Sequence, residues 1–413
     1  MSKTEAIQPA LEANFRWFER SGIMDPPDGS WGVAERILLT RNNTALSKTL
    51  QEFPARRNFG DYLAIEHRRP DCNFQTALAY ALDGVFGDHP ERLKTAEELL
   101  TFLYCRTAAR NTHSPAFPYG TWRWSDDRWN VPVWYDDNSW CTLIPILLAN
   151  LVPEWDEKFQ LKESAAVTAH ELYRAMILAE DRFGNFARAE FVPLWNGFPQ
   201  KPHFGSLACM ALAAVMLQNP RDDYRHLIES YHRFLERDYG GLNTSECSYA
   251  LIGATLSAAA GCDTLDFARR TARMLLGHVV EATGNLPSEN GREAPVGKHL
   301  VDLIYTFNWA VLGFQMLQTL EPAPEYQQFL DRSVALLLEI QDHTDCPGLN
   351  GCWRGMFDLE QRAYGGGDCY EGGANSIYSG WTNAPLNCFL NLYRQNSSFV
   401  SLANKTLFQG VKK

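Results

Sequence analysis

The stretch VWYDDNSWCTLIPILLANLVPEW, residues 133–155, holds the pattern that predicts the fold. Its part Ser139–Leu151 is apolar on almost every face, as expected for a helix buried on all sides. Two adjacent acids, Asp136 and Asp137, stand between aromatic residues just before this apolar run. A buried carboxylate is costly unless it is paired or hydrogen-bonded. The two acids are therefore interpreted either as a helix cap or as part of a catalytic centre.

Along the rest of the chain, amphipathic segments rich in charge alternate strictly with segments as apolar as this one. The charged segments lie at 4–22, 92–106, 162–180, 222–238, 265–282 and 325–342. The apolar segments lie at 74–86, 139–151, 204–218, 247–261, 303–317 and 380–393. This alternation predicts a ring of helical hairpins with the apolar helices inside. The expected fold is an all-α (α/α)6 barrel, formed as a single domain by residues 1–413.

The links between these segments differ in length in a regular way. Links from an apolar to a charged segment are short. Links from a charged to an apolar segment are often long and rich in glycine and aromatic residues, as in Ile23–Asp71, Thr107–Asp137 and Asp342–Tyr378. Because helix–helix links are usually short, repeated long links are expected to be functional. In a ring of hairpins they gather on one face, around the N-termini of the inner helices, where helix dipoles favour carboxylates and anions.

Composition and charge limit the possible partners. The 413-residue chain is 45% hydrophobic and 21% charged, and its formal net charge of −11 argues against nucleic acid and anionic membranes. No apolar stretch is long enough to span a bilayer and no secretory signal pattern is seen, so a cytoplasmic location is expected. The ten cysteines contain no CxxC pair, and the spacing of Cys346, Cys352 and Cys369 matches no short ligand pair. Neither a metal nor a cofactor is predicted.

The segment Trp134–Trp140, WYDDNSW, resembles the tryptophan–acid–aspartate segment that precedes an inner helix in unsaturated glucuronyl and rhamnogalacturonyl hydrolases. These enzymes are six-hairpin glycosidases with an (α/α)6 barrel, and the architectural resemblance covers nearly the whole chain. It implies a glycoside hydrolase for small, uronic-acid-containing oligosaccharides, with an aspartate as general acid and base. That role falls on Asp137, or on Asp136 if the register shifts; otherwise Asp136 caps or supports its neighbour. The three residues after the aspartate depart from that family's pattern, so ordinary glycosidases are the alternative.

Ordinary glycoside hydrolysis requires a second carboxylate, about 5–5.5 Å from the first for retention and about 6.5–9.5 Å for inversion. Four acids are candidates: Asp71 before the first inner helix, Glu246 before the fourth, Asp302 in the fifth, and Glu371 in the last long link. Asp302 is predicted to lie in an otherwise apolar inner helix, where an acid needs a specific role. It is therefore included with Asp136 and Asp137 as a catalytic candidate.

Aromatic and polar residues in the long links are expected to bind the sugar. The apolar C–H faces of sugars stack on aromatic rings, and their hydroxyl groups bind polar side chains. Packing over the barrel mouth is the competing interpretation for the aromatic residues. The predicted substrate-binding residues are Trp122, Arg123, Trp124, Trp134, Trp140, His203, Glu371, Asn375, Trp381 and Asn383.

Two other functions fit the same barrel. One is a sugar epimerase or isomerase, in which His203 and His299 transfer protons, because each precedes an inner helix. The other is a carbohydrate-binding protein without catalytic activity. Essential acids and a cleaved bond would favour the hydrolase, whereas essential histidines without cleavage would favour the epimerase. In each case the expected partner is a small sugar.

Overall fold

Helices make up most of the molecule. The computed structural model describes residues 3–43, 45–87, 89–112, 118–127, 132–180, 186, 191–288, 297–366 and 373–404. Within these ranges the α-helices are α1 (Lys3–Arg20), α2 (Leu46–Glu52), α3 (Pro70–Phe86), α4 (Glu91–Thr101), α5 (Tyr135–Leu151), α6 (Pro153–Phe159), α7 (Leu161–Ala179), α8 (Pro202–Met216), α9 (Asp222–Arg237), α10 (Thr244–Ala259), α11 (Leu265–His278), α12 (Phe307–Leu320), α13 (Pro324–Ile340), α14 (Ala384–Arg394) and α15 (Phe399–Ala403).

Six of these helices, α3, α5, α8, α10, α12 and α14, form a closed inner ring in which each contacts the next and α14 contacts α3. The outer helices α1, α4, α7, α9, α11 and α13 pack against them. Every residue of α5 is buried, whereas α9 buries one face only, which is why the first lies inside and the second outside. The predicted all-α (α/α)6 barrel and its strict alternation are confirmed.

Short strands occupy the long links, and the sequence pattern did not predict them. They are β1 (Arg36–Leu39), β2 (Arg56–Asn58), β3 (Tyr62–Ile65), β4 (Val133–Trp134), β5 (Trp195–Asn196), β6 (Pro287–Ser288), β7 (Gly297–Asp302), β8 (Met356–Asp358), β9 (Ala363–Tyr364) and β10 (Ser376–Tyr378). One antiparallel sheet, in the order β10-β1-β3-β2, joins the link before α3 to the link before α14. A second sheet, β6-β7-β8-β9, joins the link before α12 to the link before α14.

The prediction that Asp302 lies in an inner helix is wrong. Asp302 is the last residue of strand β7, and α12 begins only at Phe307. The segment is extended because Leu300, Val301 and Asp302 pair with β8, from a distant link. The apolar pattern around Asp302 predicts a helix, but the backbone hydrogen bonds of these residues go to a partner strand.

One hydrophobic cluster runs through the barrel, from Ile7 in α1 to Ala403 in α15. It includes stacked aromatic side chains on the barrel axis, such as Trp140 and Trp309, whose ring centroids are 5.0 Å apart. Among the described residues, no helix combines the length and the apolar character needed to cross a bilayer.

Candidate active site

A cavity of about 210 Å³ opens on the face that carries the long links. It lies where the inner helices begin, because its lining residues come from the N-terminal ends of α3, α5 and α8 and from the turns just before α12 and α14. We call this cavity the pit. Its lining residues are Arg69, Trp124, Trp134, Asp136, Asp137, His203, Ile304, Tyr305, Tyr378 and Trp381.

The two adjacent acids lie in the first turn of α5. The N-cap position of this helix is occupied by Trp134, which has extended backbone angles and makes no capping hydrogen bond with its side chain. The interpretation of Asp136 as a helix cap is therefore wrong. Both acids are almost fully buried, with 4% of Asp136 and 2% of Asp137 exposed. The N-terminal end of the helix dipole favours negative charge at this place.

Arg69, the residue directly before α3, organises the pit floor. Its guanidinium group makes a bidentate contact with Asp71, with Nε–Oδ1 and Nη2–Oδ2 distances of 3.1 and 3.0 Å. It also donates to Glu35 Oε1 at 3.1 Å and to Asp137 Oδ1. The ring of Trp381 lies under the same guanidinium at 5.2 Å, and its Nε1 donates to Asp71 Oδ2 at 2.8 Å. One arginine thus holds three carboxylates.

The floor carries more carboxyl groups than cations, and this excess adds to the effect of burial on the pKa of Asp137. Burial raises the pKa of Asp137 well above its ordinary value; Arg69 opposes this shift, whereas Asp71 and Asp136 add to it. Burial also acts to raise the pKa of Glu35, but Arg36, His67 and Arg69 together lower it to about 2. When several carboxylates share too few cations, one of them keeps its proton. Here the carboxyl whose pKa is raised is that of Asp137.

Two carboxylate oxygens of the pit make no hydrogen bond with the described part of the protein. They are Oδ1 of Asp136 and Oδ2 of Asp137, and both are inaccessible to solvent. A buried polar atom without a partner costs about 1–3 kcal/mol. Such atoms are rare in native proteins, and each needs an explanation, such as a catalytic role or an unseen water.

Asp136 is directed toward the third inner helix of the ring. Its Oδ2 lies 2.9 Å from Nε2 of His203, a distance at which a protonated imidazole forms an ion pair. The alignment required for a hydrogen bond is absent at Nε2. The imidazole lies nearly parallel to the rings of Phe204 and Tyr249, with centroids 4.7 and 4.5 Å away. These flat contacts fix the orientation of His203.

The predicted aromatic residues divide into wall and core. Trp124, Trp134 and Trp381 line the pit. Trp122 is fully buried and packs edge-on against Phe74 and Tyr104, with centroid distances of 5.1 and 5.4 Å.

Trp140 also belongs to the core, since it is 1% exposed and stacks on Trp309 below the pit. These core positions give Trp122 and Trp140 a packing role and no contact with a ligand in the pit.

The predicted polar contacts fall elsewhere. Both polar atoms of Asn383 are used within the fold: Oδ1 accepts from Asn14 Nδ2 and Trp353 N, both at 2.9 Å, and Nδ2 donates to Trp353 O and Tyr378 O. Asn375 donates to the carbonyl of Asn42 at 3.0 Å. Arg123 is 8% exposed but does not reach the pit lining, and burial lowers its pKa.

Three of the candidate second carboxylates also lie outside the pit lining or are already hydrogen-bonded. Asp302 Oδ1 accepts from the backbone N–H groups of Ile304 and Tyr305, at 3.0 and 3.1 Å, and Oδ2 accepts from Thr306 Oγ1. Glu246 forms a capping box with Asn243 at the start of α10.

Asp71 is saturated by Arg69 and Trp381, and Glu371 lies outside the described residues. His299 of the epimerase hypothesis lies on β7, 3.9 Å from both Asp358 and Glu360, and does not line the pit.

Several pit residues were missed from the sequence. Arg69 and Glu35 were not identified, although the run EHRRPD before α3 (Glu66–Asp71) places charge at the start of an inner helix, as the Asp136–Asp137 pair does. That run could have drawn attention to Arg69. Tyr305 and Tyr378 carry no comparable signal, because their positions depend on how strands β7 and β10 end.

A separate group of Glu12, Asp83 and His89 offers ligand atoms within 4.8 Å of one another at the opposite end of α3. Arg92 already pairs with this group, through Asp83 and through Glu12 at 2.6 Å. A cation bound there would compete with the arginine, so the group is better described as an ion-pair network.

Comparison of the sequence with known families and with curated proteins gives no match. Solved structures do match. Cellobiose 2-epimerase from Spirochaeta thermophila has a TM-score of 0.63 at 13% identity, over 95% of this chain and 96% of that one. D-mannose isomerase has a TM-score of 0.62 at 11% identity, over 95% and 99%. The GH76 α-mannanase BT2949 from Bacteroides thetaiotaomicron has a TM-score of 0.51 at 10% identity, over 83% and 88%.

These neighbours are members of the six-hairpin glycosidase superfamily, and this chain has their (α/α)6 barrel. The predicted superfamily resemblance is therefore confirmed for the fold. The finer resemblance to unsaturated glucuronyl hydrolases stays a prediction. The neighbours include epimerases and isomerases as well as a hydrolase, so the fold alone leaves the reaction open.

Proposed function

We propose that the protein is a glycoside hydrolase that acts on a small oligosaccharide, with Asp137 as the general acid. The observation that carries this proposal is the Asp137 carboxyl. It lines the pit, its pKa is raised well above the ordinary value, and its Oδ2 has no hydrogen-bond partner among the described residues. A carboxyl whose pKa is raised by burial and by neighbouring acids is suited to protonate a leaving group.

In the proposed reaction each of the two acids has one role. Asp137 donates its proton to the glycosidic oxygen while the bond from that oxygen to the anomeric carbon breaks. Asp136 takes a proton from water as the water oxygen bonds to that carbon, and solvent restores both groups. Arg69 holds Asp137 in place through Oδ1, and Asp137 lines the pit in which the substrate would bind. His203 lies 2.9 Å from Asp136 and stabilises its negative charge when the ring is protonated.

The size of the pit favours a single sugar ring. Pockets for drug-sized ligands span about 300–1,000 Å³, and the pit, at about 210 Å³, is smaller. The half-buried walls Trp124 and Trp134 present flat apolar surfaces for its C–H faces. We therefore propose removal of a terminal sugar residue. The sequence-based expectation that this residue is a uronic acid is disfavoured by the charges of the pit.

The test is turnover of the Asp137→Asn protein. Release of reducing ends is followed on a panel of neutral disaccharides and on a disaccharide with an unsaturated uronic acid. On any substrate that the parent cleaves, Asp137→Asn should lower kcat about 10²–10⁴-fold, because a positioned acid is lost, while the melting temperature is kept.

The control is Asp263→Asn, which makes the same change in the exposed turn between α10 and α11 and should leave kcat unchanged. If Asp137→Asn keeps most of the activity, the assignment of the acid fails. If only Asp136→Asn is inactive, the proton comes from the neighbouring residue.

A sugar epimerase or isomerase is the second candidate, supported by His203 in the pit beside Asp136. Such an enzyme removes a proton next to the carbonyl of an open-chain sugar, and His203 is a suitable base. The measurement is incubation of reducing disaccharides and hexoses in D₂O. Deuterium at C2 of recovered sugar, with no bond cleaved, would favour this candidate; cleavage without deuterium at C2 would favour the hydrolase.

A further inference from the structure

The charged groups of the pit determine which sugars it accepts. The acids that face it are Asp136 and Asp137, and the cationic side chains in its described lining are Arg69 and His203. We infer that the pit binds an uncharged sugar ring and discriminates against a uronic acid. This inference rests on the proposed function, since it takes the pit to be the substrate site.

Arg69 is not available to bind a substrate carboxylate. Four hydrogen bonds run from its guanidinium to Asp71, Glu35 and Asp137. A guanidinium group has five N–H donors, and strong carboxylate recognition uses two parallel ones. One N–H at most is left, so the bidentate geometry cannot form without breaking a buried contact. The pKa of Arg69 accordingly lies well above its ordinary value, because Asp137 and Asp71 outweigh the effect of burial.

The other charges of the floor repel an anion. Glu35, Asp71, Asp136 and Asp137 are four carboxyl groups in or directly beneath the pit. Even with Asp137 protonated, three negative charges face Arg69 and Arg36, which pairs with Glu35 at 2.7 Å. His203 compensates at most the charge of Asp136. A sugar carboxylate placed here adds a negative charge to a site that already has no surplus of positive charge, and like charges in contact disfavour binding strongly.

A neutral ring suits the same surfaces. Its hydroxyl groups can donate to the carboxylate of Asp136, which lines the pit. Its C–H faces can pack on Trp134 and Trp381, the second of which is held by Asp71 and Arg69. Such a ligand donates hydrogen bonds to the Asp136 carboxylate and brings no charge of its own.

The experiment compares matched ligands at pH 7 by calorimetry. The ligands are methyl glycosides of glucose, galactose and mannose and of the corresponding uronic acids, so that each pair differs only at C6. In the pair that binds best, we expect the neutral member to bind about tenfold or more tightly than the uronate, because repulsion worth 1.4 kcal/mol is already tenfold in affinity. If no neutral member binds, or if a uronate binds as tightly as its neutral partner, the inference fails.

A charge variant sharpens the result. Asp136→Asn removes one negative charge from the pit. In the best pair, it should lower the ratio of the uronate Kd to the neutral-glycoside Kd at least threefold. Asp263→Asn, outside the pit, should leave the difference unchanged. An unaltered preference in a folded Asp136→Asn protein would overturn the electrostatic explanation. This experiment measures binding, so it is independent of turnover. A protein that prefers the neutral glycosides but cleaves no oligosaccharide would refute the proposed reaction and leave the inferred charge preference intact.

Discussion

Asp137 and Asp302 form a natural pair for comparison. Both are almost fully buried, at 2% and 1% exposure. Asp137 lies in the first turn of inner helix α5, and Asp302 ends strand β7, before the turn that leads into inner helix α12. From the sequence both were catalytic candidates. In the structure, Asp302 uses both carboxylate oxygens to hold the turn before α12. Asp137 uses one oxygen for Arg69, and the other has no hydrogen-bond partner in the part of the chain that the structure describes.

The difference shows what burial alone cannot tell. A buried carboxylate whose hydrogen bonds are complete stabilises the fold, because every donor it serves would otherwise be orphaned. A buried carboxylate with an unpaired oxygen costs stability, which a protein retains at sites that perform chemistry. Within this pair, the hydrogen bonds of each oxygen distinguish Asp137 from Asp302, and variants of the two residues test whether their roles differ in the same way.

The largest effect on stability is expected for Asp302→Ala. The substitution leaves two backbone N–H groups and the Thr306 hydroxyl buried without their acceptor, so the free energy of unfolding should fall by about 3–5 kcal/mol. Denaturant unfolding measures this fall in the free energy of unfolding. The kcat of the folded fraction should match the kcat of the parent protein. By contrast, Asp137→Asn should leave the free energy of unfolding unchanged or raise it, while kcat falls. A stable Asp302→Ala protein without activity would reverse the comparison.

The second prediction concerns opposite pH slopes of stability. The pKa of Glu35 is lowered in the folded protein from 4.5 to about 2, so its stabilising contribution is present above pH 4.5 and is lost as the pH falls toward 2. At 1.36 kcal/mol per unit, this contribution is on the order of 3 kcal/mol. Asp137 acts in the other direction: its pKa is raised above 3.8, so stability is lost as the pH rises from 3.8 to the folded value.

Unfolding by urea at pH 3 and pH 5 tests the contribution of Glu35. The parent should lose more stability at pH 3 than Glu35→Gln does, and Glu281→Gln, at an exposed position, should behave like the parent. Equal losses in the parent and in Glu35→Gln would show that Glu35 is not held ionised by Arg36 and Arg69.

The sequence was sufficient for the barrel and for part of the pit. Helical periodicity depends on local pattern, so the alternation of charged and apolar segments predicted all the hairpins. The position of Asp136 and Asp137 before an inner helix placed them on the pit face. Asp302 and Arg69 could not be assigned, because their surroundings are set by strands that pair with distant links: β7 with β8, and β1 with β3 and β10. Such pairings leave little trace in a local pattern.

The last prediction uses two tryptophans that the sequence treated alike. Trp122 and Trp124 are separated by one residue. In a regular strand, side chains two residues apart point to the same side, so both rings would be expected on one side. Trp122 pairs with Arg110 in an isolated bridge and Trp124 lies in a bend, so the two side chains diverge. Trp122 enters the core, whereas Trp124 lines the pit beside His67 and Trp134, with centroids 5.0 and 6.0 Å away.

Trp124→Ala should therefore weaken binding of the preferred neutral methyl glycoside by about 0.5–1.5 kcal/mol, the value of an aromatic contact beyond its buried area. This corresponds to a rise in Kd of roughly 2–13-fold, measured by calorimetry. Trp122→Phe keeps an aromatic ring between Phe74 and Tyr104 and should lower the melting temperature without changing Kd. If Trp124→Ala lowers only the melting temperature, both tryptophans serve packing, and the wall of the pit must be assigned to Trp134 and Trp381 alone.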